Sequence, residues 1–131
     1  MALFRTTKQT GDIGEDAAAR YLCGLGCRVI ARNYRTPHGE IDIIAQKGEY
    51  IIFSEVQTRQ ELDGGRYGRP ADAVDRRKRE RLRYSAACYL HENPTDKKQR
   101  IDIIEVYKKE SQGRMVVTDI KHFPGAVGGV G

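Results

Sequence analysis

The most constraining stretch of this sequence is residues 39–59, in which two isoleucine-rich runs flank a short turn that contains a glycine. Apolar runs of this length, separated by such a turn, predict a β-hairpin. A strand sends alternate side chains to opposite faces. Glu40 and Asp42 are therefore expected to share one face of the first strand. Ile41 and Ile43 are expected to share the other face.

The second strand of the hairpin also carries an acidic residue among apolar ones. Glu55 and Gln57 are expected to share a face with Ile51 and Phe53. A carboxylate in such surroundings is unfavourable unless a cation or hydrogen bonds compensate it. Asp42 and Glu55, facing each other at the end of a hairpin, therefore predict a site for a divalent cation with oxygen ligands, Mg²⁺ or Mn²⁺.

Composition limits the classes of function. The chain has 131 residues, 39% of them hydrophobic, which fits one domain with its own core. No apolar run approaches about 20 residues and no signal-peptide pattern is present, so a cytoplasmic protein without a membrane partner is expected. The net charge of +5 favours an anionic partner, nucleic acid before a membrane surface, although many small proteins are mildly basic without such a partner.

The capping residues, the glycine and proline turns and the spacing of apolar residues predict the order helix, strand, strand, strand, long helix, strand, strand. This order predicts an α/β sandwich with a central mixed sheet of about five strands, flanked by helices, with the hairpin near the centre of the sheet. Residues 1–9 are expected to form a flexible leader, residues 10–123 the domain, and residues 124–131 a disordered tail of mostly glycine and valine.

Two residues outside the hairpin are candidates for the same site. Glu15, in the first turn of the predicted first helix, is a candidate metal ligand or outer hydrogen-bond acceptor; alternatively the helix dipole alone favours an acid there. In the long helix predicted for residues 70–92, Lys78 lies four residues from both Val74 and Leu82, on the inward stripe. A lysine on that stripe either extends outward to water or pairs with an acid.

Arginines surround the predicted site. They lie on the second strand, on the glycine-containing loop after it, and on the long helix. They would form a phosphate-binding surface, or alternatively belong to a flexible connector and a solvated, ion-paired helix. The candidates for nucleic-acid binding are Arg59, Arg66, Arg69, Arg76, Arg77 and Arg81.

This set of residues suits the hydrolysis of a phosphodiester. The reaction at neutral pH needs a metal that polarises the phosphoryl oxygens and generates hydroxide. Asp42 and Glu55 would hold the cation and leave positions for water. Gln57 can orient a water molecule but cannot act as a base, and Lys78 would supply positive charge from the helix. The catalytic candidates are Asp42, Glu55, Gln57 and Lys78.

The same residues resemble a known family. Glu40-Ile41-Asp42, Glu55-Val56-Gln57 and the lysine-bearing helix resemble the signature of PD-(D/E)XK nucleases. Over about residues 10 to 123, the chain resembles more closely the YraN-type family of bacterial nuclease-like proteins. The further marks are Gly14-Glu15, Asn33, Ala73-Val74 and Ile101-Asp102.

This resemblance implies a restriction-endonuclease-like fold, related to that of archaeal Holliday-junction resolvases. It also implies a metal site made by Asp42 and Glu55 with a contribution from Glu15, and a homodimer as a candidate assembly. One position departs from the family pattern, because a lysine usually occupies the place of Gln57. A neutral amide cannot replace that charge, and Lys78 is the natural substitute.

Three hypotheses follow from the sequence. The first is a metal-dependent endonuclease that hydrolyses phosphodiester bonds in DNA, with branched or repair intermediates as candidate substrates. The second is a non-catalytic nucleic-acid-binding protein on a nuclease scaffold, impaired by Gln57. The third is a purely structural role, in which the acids pair internally with Lys78 and Arg59 and the protein works through a protein partner.

Overall fold

In the computed structural model, residues 12–61 and 74–128 are described, and they form two helices and five strands. The expected leader at residues 1–9 lies outside these ranges, as do Arg66 and Arg69. The elements in chain order are α1 (Ile13–Gly24), β1 (Arg28–Thr36), β2 (Gly39–Lys47), β3 (Tyr50–Gln60), α2 (Arg76–Glu92), β4 (Lys98–Ser111) and β5 (Arg114–Val127).

The five strands form one sheet in the order in which they occur along the chain, β1-β2-β3-β4-β5. The β3–β4 pair is parallel and is connected through α2, and the other three pairs are antiparallel. The helices pack on opposite faces of this sheet. The predicted α/β sandwich with a mixed five-stranded sheet is therefore confirmed, and the β2–β3 hairpin lies towards its centre. Within the described ranges, neither helix is long and apolar enough to cross a membrane.

Each helix covers its own hydrophobic cluster, because the central strands are buried on both faces. Leu22 of α1 packs over Ile43 and Ile52, whereas Leu82 of α2 packs over Ile44 and Phe53. All six side chains are at most 2% exposed. Burial of this kind stabilises a structure by about 1.5–3 kcal/mol for each large apolar side chain.

Strand alternation fails at one place in β2. Ile41 packs in the cluster under α2, whereas Ile43 packs in the cluster under α1, so the prediction that they share a face was wrong. The regular register of β2 with β3 ends at the Ile43–Ser54 pair. On the other side, Asn33 of β1 has a φ of 56°, in the left-handed region, at the level of Asp42. The strand is therefore irregular at the residue where the candidate site begins.

The second helix starts later than its sequence pattern suggested. Asp75 caps it by accepting a hydrogen bond from the backbone N–H of Lys78 at 2.9 Å, so the helix begins at Arg76. Aspartate is among the preferred residues for this capping position. Val74 is buried but precedes the helix, and residues 70–73 lie outside the described part of the chain.

The last strand extends beyond the expected boundary at Phe123. Strand β5 runs to Val127, which is 2% exposed in the cluster under α2, so residues 124–127 are not part of a disordered tail. Two arginines of α2 hold this end of the chain. Arg79 donates to the carbonyl of Ala126 at 3.3 Å, and Arg83 donates to the carbonyl of Gly128 at 3.2 Å.

A fully buried carboxylate ties β4 to β5. Asp102 accepts two hydrogen bonds from Arg100, both at 2.9 Å, and one from the backbone N–H of Gly125 at 2.9 Å. Its Oδ2 also lies 2.8 Å from Nε2 of His122, whose Nδ1 lies 3.1 Å from the hydroxyl of Tyr21 on α1. Burial alone would raise the pKa of Asp102, but the bonds from His122, Arg100 and Gly125 outweigh it and lower that pKa.

We expect Asp102→Asn to lower the free energy of unfolding by about 3 kcal/mol, because it leaves the half-buried guanidinium of Arg100 without its carboxylate. A carboxyl group whose pKa is lower in the folded than in the unfolded chain stabilises the fold above its unfolded pKa, and this stabilisation disappears as the pH falls. The difference from wild type should therefore shrink below about pH 4. Urea unfolding at pH 7 and pH 3 measures it, with the exposed Asp96→Asn as control. An equal difference at both pH values would contradict this assignment.

Candidate active site

A cleft of about 400 Å³ opens where β2 and β3 stop pairing. The last registered pair is Ile43–Ser54, and the next residues towards the open end are Asp42 and Glu55. Both line the cleft, so the structure brings together the two acids that the sequence pattern selected. The charged side chains around the cleft are Asp12, Glu15, Glu40, Asp42, Glu55, Lys78 and Arg81.

Asp42 lies among several other acidic side chains of the cleft. Its Oδ2 accepts a hydrogen bond of 2.8 Å from the backbone N–H of Val56, which lowers its pKa. Burial and the negative charges of Glu55, Glu15 and Glu40 act in the opposite direction and raise the pKa of Asp42 to about 8. Within the described ranges, no lysine, arginine or histidine forms an ion pair with Asp42 at 4 Å or less. A cation at this carboxylate would relieve the repulsion.

Glu55 is paired with a lysine. Lys78 Nζ lies 2.9 Å from Oε2 of Glu55; the Glu55 side chain is 8% exposed and that of Lys78 is 45% exposed. Burial lowers the pKa of Lys78, but the hydrogen bond to Glu55 and the charges of Glu55 and Asp42 outweigh it and raise that pKa. The lysine is therefore a fixed positive charge at the cleft, reached from the first turn of α2.

Glu15 reaches the cleft from the opposite face of the sheet and is 3% exposed. Asp12 caps α1 by accepting a hydrogen bond from the backbone N–H of Glu15 at 2.9 Å. The Oε1 of Glu15 accepts hydrogen bonds from Arg32 at 3.0 Å and from Asn33 at 3.1 Å. Glu15 is thus held beside Asp42, and not merely placed by the helix dipole.

A glycine allows this close approach of α1. A Cβ atom added to Gly14 would lie 2.1 Å from the hydroxyl oxygen of Thr58 on β3, a distance that real Cβ contacts do not reach. The helix can therefore approach β3 closely only because residue 14 lacks a side chain. Since Glu15 follows directly, this contact also sets the distance of its carboxylate from the strands.

Gln57 does not line the cleft, although it follows Glu55 by two residues. Its Oε1 accepts a hydrogen bond of 2.8 Å from Arg59. The Nε of Arg59 lies 3.4 Å from Oε2 of Glu105, a buried acid that also accepts a hydrogen bond from Tyr107. Gln57 was expected to orient a water molecule and Lys78 to supply positive charge. The structure brings Lys78 to the cleft with the two acids, and does not bring Gln57 there.

The arginines predicted to bind nucleic acid fall into three groups. Arg59 is engaged with Gln57 and Glu105, and Arg76 lies 3.7 Å from Glu80 in an exposed pair. For Arg77 and Arg81 no carboxylate lies within 4 Å among residues 12–61 and 74–128, and Arg81 lines the cleft. Arg66 and Arg69 lie outside the described residues.

The donor set fits a cation that keeps much of its water. In the part of the chain that the structure describes, no three His, Cys, Asp or Glu side chains form a ready-made ligand cluster. Mg²⁺ does not require such a cage, because it usually retains several waters and binds through one or two carboxylates together with substrate phosphates. Asp42 and Glu55 would supply these carboxylates, and a cation would take the place of the proton that the raised pKa of Asp42 favours there.

Several supporting residues were not selected from the sequence. Arg32 holds Glu15 and also pairs with Asp16 at 2.8 Å, and Gly14 sets the approach of α1. Gly14 and Asn33 were noted only as marks of the resemblance, although the left-handed backbone of Asn33 and its bond to Glu15 place it beside the cleft. In the sequence, the only sign of these partners was Glu15 itself, an acid in the first turn of a helix that would need hydrogen-bond donors if buried. Which residues donate to it depends on how the strands pair across the sheet.

Comparison with known proteins agrees with the family-level part of the resemblance. Residues 14–106 match the family model described as "Uncharacterised protein family UPF0102". A UPF0102 protein of Dictyoglomus thermophilum is 44% identical over 105 residues, which are 79% of this chain and 86% of the relative. One from Moorella thermoacetica is 46% identical over 103 residues, 78% of this chain and 83% of the relative.

A third relative gives the same result. The UPF0102 protein of Dehalococcoides mccartyi is 41% identical over 109 residues, covering 82% of this chain and 88% of the relative. The family match and these relatives each cover most of the sequence that carries the cleft. The chain therefore belongs to the UPF0102 family.

Proposed function

We propose that this protein is a Mg²⁺- or Mn²⁺-dependent endonuclease that hydrolyses phosphodiester bonds in DNA. The observation that carries the proposal is the meeting of Asp42, Glu55 and Lys78 in one open cleft, where Asp42 has acidic neighbours but no described cation of its own. The order of these residues along two strands and a helix also supports membership of the PD-(D/E)XK superfamily. The net charge of +5 favours a polyanionic substrate.

Each side chain has a separate task in this proposal. Asp42 and Glu55 bind the cation, which when present polarises a phosphoryl oxygen and lowers the pKa of a bound water. Lys78, through its contact with Glu55, keeps a positive charge next to the reacting phosphate and stabilises the negative charge that develops there. Glu15, fixed by Arg32 and Asn33, is positioned to accept a hydrogen bond from water at the edge of the site.

A second candidate, a non-catalytic DNA-binding protein, is favoured by one specific observation. The residue at the usual lysine position, Gln57, is bonded to Arg59 and does not face the cleft. If Lys78 does not replace the missing charge, the chain would bind metal and nucleic acid without efficient cleavage. The arginines without described carboxylate partners, Arg77 and Arg81, would serve binding in either case.

Metal binding is testable without any substrate. In Mn²⁺ at about ten times its dissociation constant, the melting temperature of the wild type should exceed that in EDTA by about 5 °C. Asp42→Asn should abolish this increase, and in EDTA at pH 8 it should melt above the wild type because it removes a charge from a crowded site. Glu110→Gln, an exposed acid at the other hairpin, should behave like the wild type. An undiminished metal effect in Asp42→Asn would reject this cation site.

Cleavage is tested on branched, flapped, single-stranded and duplex DNA with each metal. Asp42→Asn and Glu55→Gln should each reduce the rate on the order of 100-fold, since each removes charge aimed at the reacting phosphate. The control is Glu49→Gln, an exposed acid at the far end of the same hairpin, which pairs with Lys98 at 3.5 Å. Wild-type activity that is no higher than that of the two variants on every substrate would eliminate the endonuclease.

The role of Lys78 separates the two candidates. For an active enzyme, Lys78→Ala should lower kcat on the order of 100-fold, and it should also lower the melting temperature because the buried Glu55 loses its cation. Lys98→Ala is its matched control, because Lys98 also pairs with a glutamate but lies away from the cleft. If instead Gln57→Lys raises cleavage well above wild type while Lys78→Ala changes nothing, the natural protein is the impaired, DNA-binding form.

A further inference from the structure

An aromatic pair lies at the rim of the cleft and has no role in the chemistry described above. His38, in the turn between β1 and β2, lines the cleft, and its ring centre is 5.0 Å from that of Tyr84 on α2. The two rings meet edge to face at 72°. Tyr84 is 40% exposed, whereas its helix neighbours Leu82, Ser85 and Ala86 are at most 2% exposed. Tyr84 therefore points away from the core and towards solvent.

A single exposed aromatic ring is common on protein surfaces and is not informative alone. Here the ring continues a basic face of α2. Arg77, Arg81 and Tyr84 follow one another at intervals of four and three residues, which places them on one side of the helix. Arg81 also lines the cleft, so this helix face begins at the acids and continues to the aromatic pair at the rim.

The other arginines of α2 are occupied. Arg79 and Arg83 hold the end of β5 through backbone carbonyls, and Arg76 pairs with Glu80. Among the described residues, no carboxylate lies within 4 Å of Arg77 or Arg81. Within the described ranges, the α2 arginines without a carboxylate partner are thus the two on the same helix face as Tyr84, which is the arrangement expected where an anionic ligand supplies the missing charge.

The turn that carries His38 is held in a fixed position against the helix. The hydroxyl oxygen of Thr36 lies 2.9 Å from that of Ser85, and it donates to the carbonyl of Gly39 at 3.1 Å. A Cβ atom at Gly39 would lie 3.0 Å from the Ser85 hydroxyl oxygen and 3.3 Å from Cβ of Arg81. The close packing at Gly39 therefore keeps His38 at the position where it meets Tyr84.

A flat ring next to a guanidinium that no described carboxylate pairs with matches one nucleotide of a single strand. The ring offers a stacking surface to a base, and the guanidinium binds its phosphate. Bases of a continuous duplex are already stacked on each other, so they cannot use such a ring unless the helix is opened. Unpaired nucleotides at a flap, a branch or a single strand have free faces.

We propose that His38, Tyr84 and Arg81 form a binding site for an unpaired DNA nucleotide next to the phosphodiester in the cleft. This inference rests on the proposed function, since it names the substrate class of the same site: DNA with a single-stranded segment, in preference to continuous duplex. The stacking surface is the Tyr84 ring, which the His38 ring meets at 72°, and Arg81 binds the phosphate between the stacked base and the cleft.

Binding of a 12-nucleotide thymidine strand, measured by fluorescence anisotropy in EDTA, tests the site without cleavage. Tyr84→Ala should weaken binding roughly tenfold, and Tyr84→Phe should keep wild-type affinity, because stacking needs the ring and not the hydroxyl. Arg81→Ala should weaken binding and should lower the slope of log affinity against log salt concentration by about one, the value for one lost phosphate contact. Affinity for a blunt duplex should be unaffected by Tyr84→Ala. The matched control is Phe123→Ala, which removes a ring that is 37% exposed on β5.

A spectroscopic readout separates stacking from a general loss of structure. The chain contains no tryptophan, so a 2-aminopurine base in the strand can be followed without interfering protein emission. The fluorescence of this base should be quenched when the strand binds to the wild type or to Tyr84→Phe. It should not be quenched when the strand is fully bound by Tyr84→Ala. Equal affinity and equal quenching in wild type and Tyr84→Ala would overturn the proposal.

The two proposals fail differently. Tyr84-dependent binding of the single strand without cleavage of any substrate would support this site and reject the endonuclease. Metal-dependent cleavage that depends on Asp42 and Glu55, but is indifferent to Tyr84→Ala on flapped and duplex DNA alike, would retain the endonuclease and reject this site.

Discussion

Repulsion between carboxylates at the point where β2 and β3 separate is the constraint on which the site depends. Asp42 and Glu55 follow the last registered pair of the hairpin, and Glu15 approaches from α1. Each acid has a different local compensation: a backbone N–H for Asp42, Lys78 for Glu55, and Arg32 with Asn33 for Glu15. The compensation is least complete at Asp42, whose pKa is raised to about 8 first by burial and then by the charges of its acidic neighbours, and there a divalent cation would be most strongly attracted.

The rest of the fold keeps these acids together. The sheet is buried on both faces by two separate clusters, so neither helix can shift without exposing apolar surface. Two glycines allow the closest approaches, Gly14 of α1 at Thr58 and Gly39 of β2 at α2. On the far side of the sheet, the buried Asp102 network and two arginines of α2 anchor β5. The described lining of the cleft thus comes from packed helices and strands and the turn between β1 and β2, which favours a preorganised site.

Particular residues show how far sequence reasoning reaches. Isoleucine-rich runs around a glycine turn were sufficient for the hairpin, and the facing of Asp42 and Glu55 followed from its register. Alternation failed for Ile41, because the pattern contains no sign of the irregularity opposite Asn33. The boundary at Phe123 was too early, because glycine and valine carry no strand pattern, whereas Val127 is buried by contacts with a distant helix.

The sequence by itself determined the order of elements, the sandwich and the two acids of the cleft, because local periodicity and the turn specify strands and their faces. Only the tertiary structure decided which charges meet. Lys78 contacts Glu55 while Gln57 is bonded to Arg59, although both were expected at the acids. The pairing of His38 with Tyr84 is likewise a tertiary result. Long side chains choose partners by distances across the sheet and between layers, and these distances are fixed only when the helices pack.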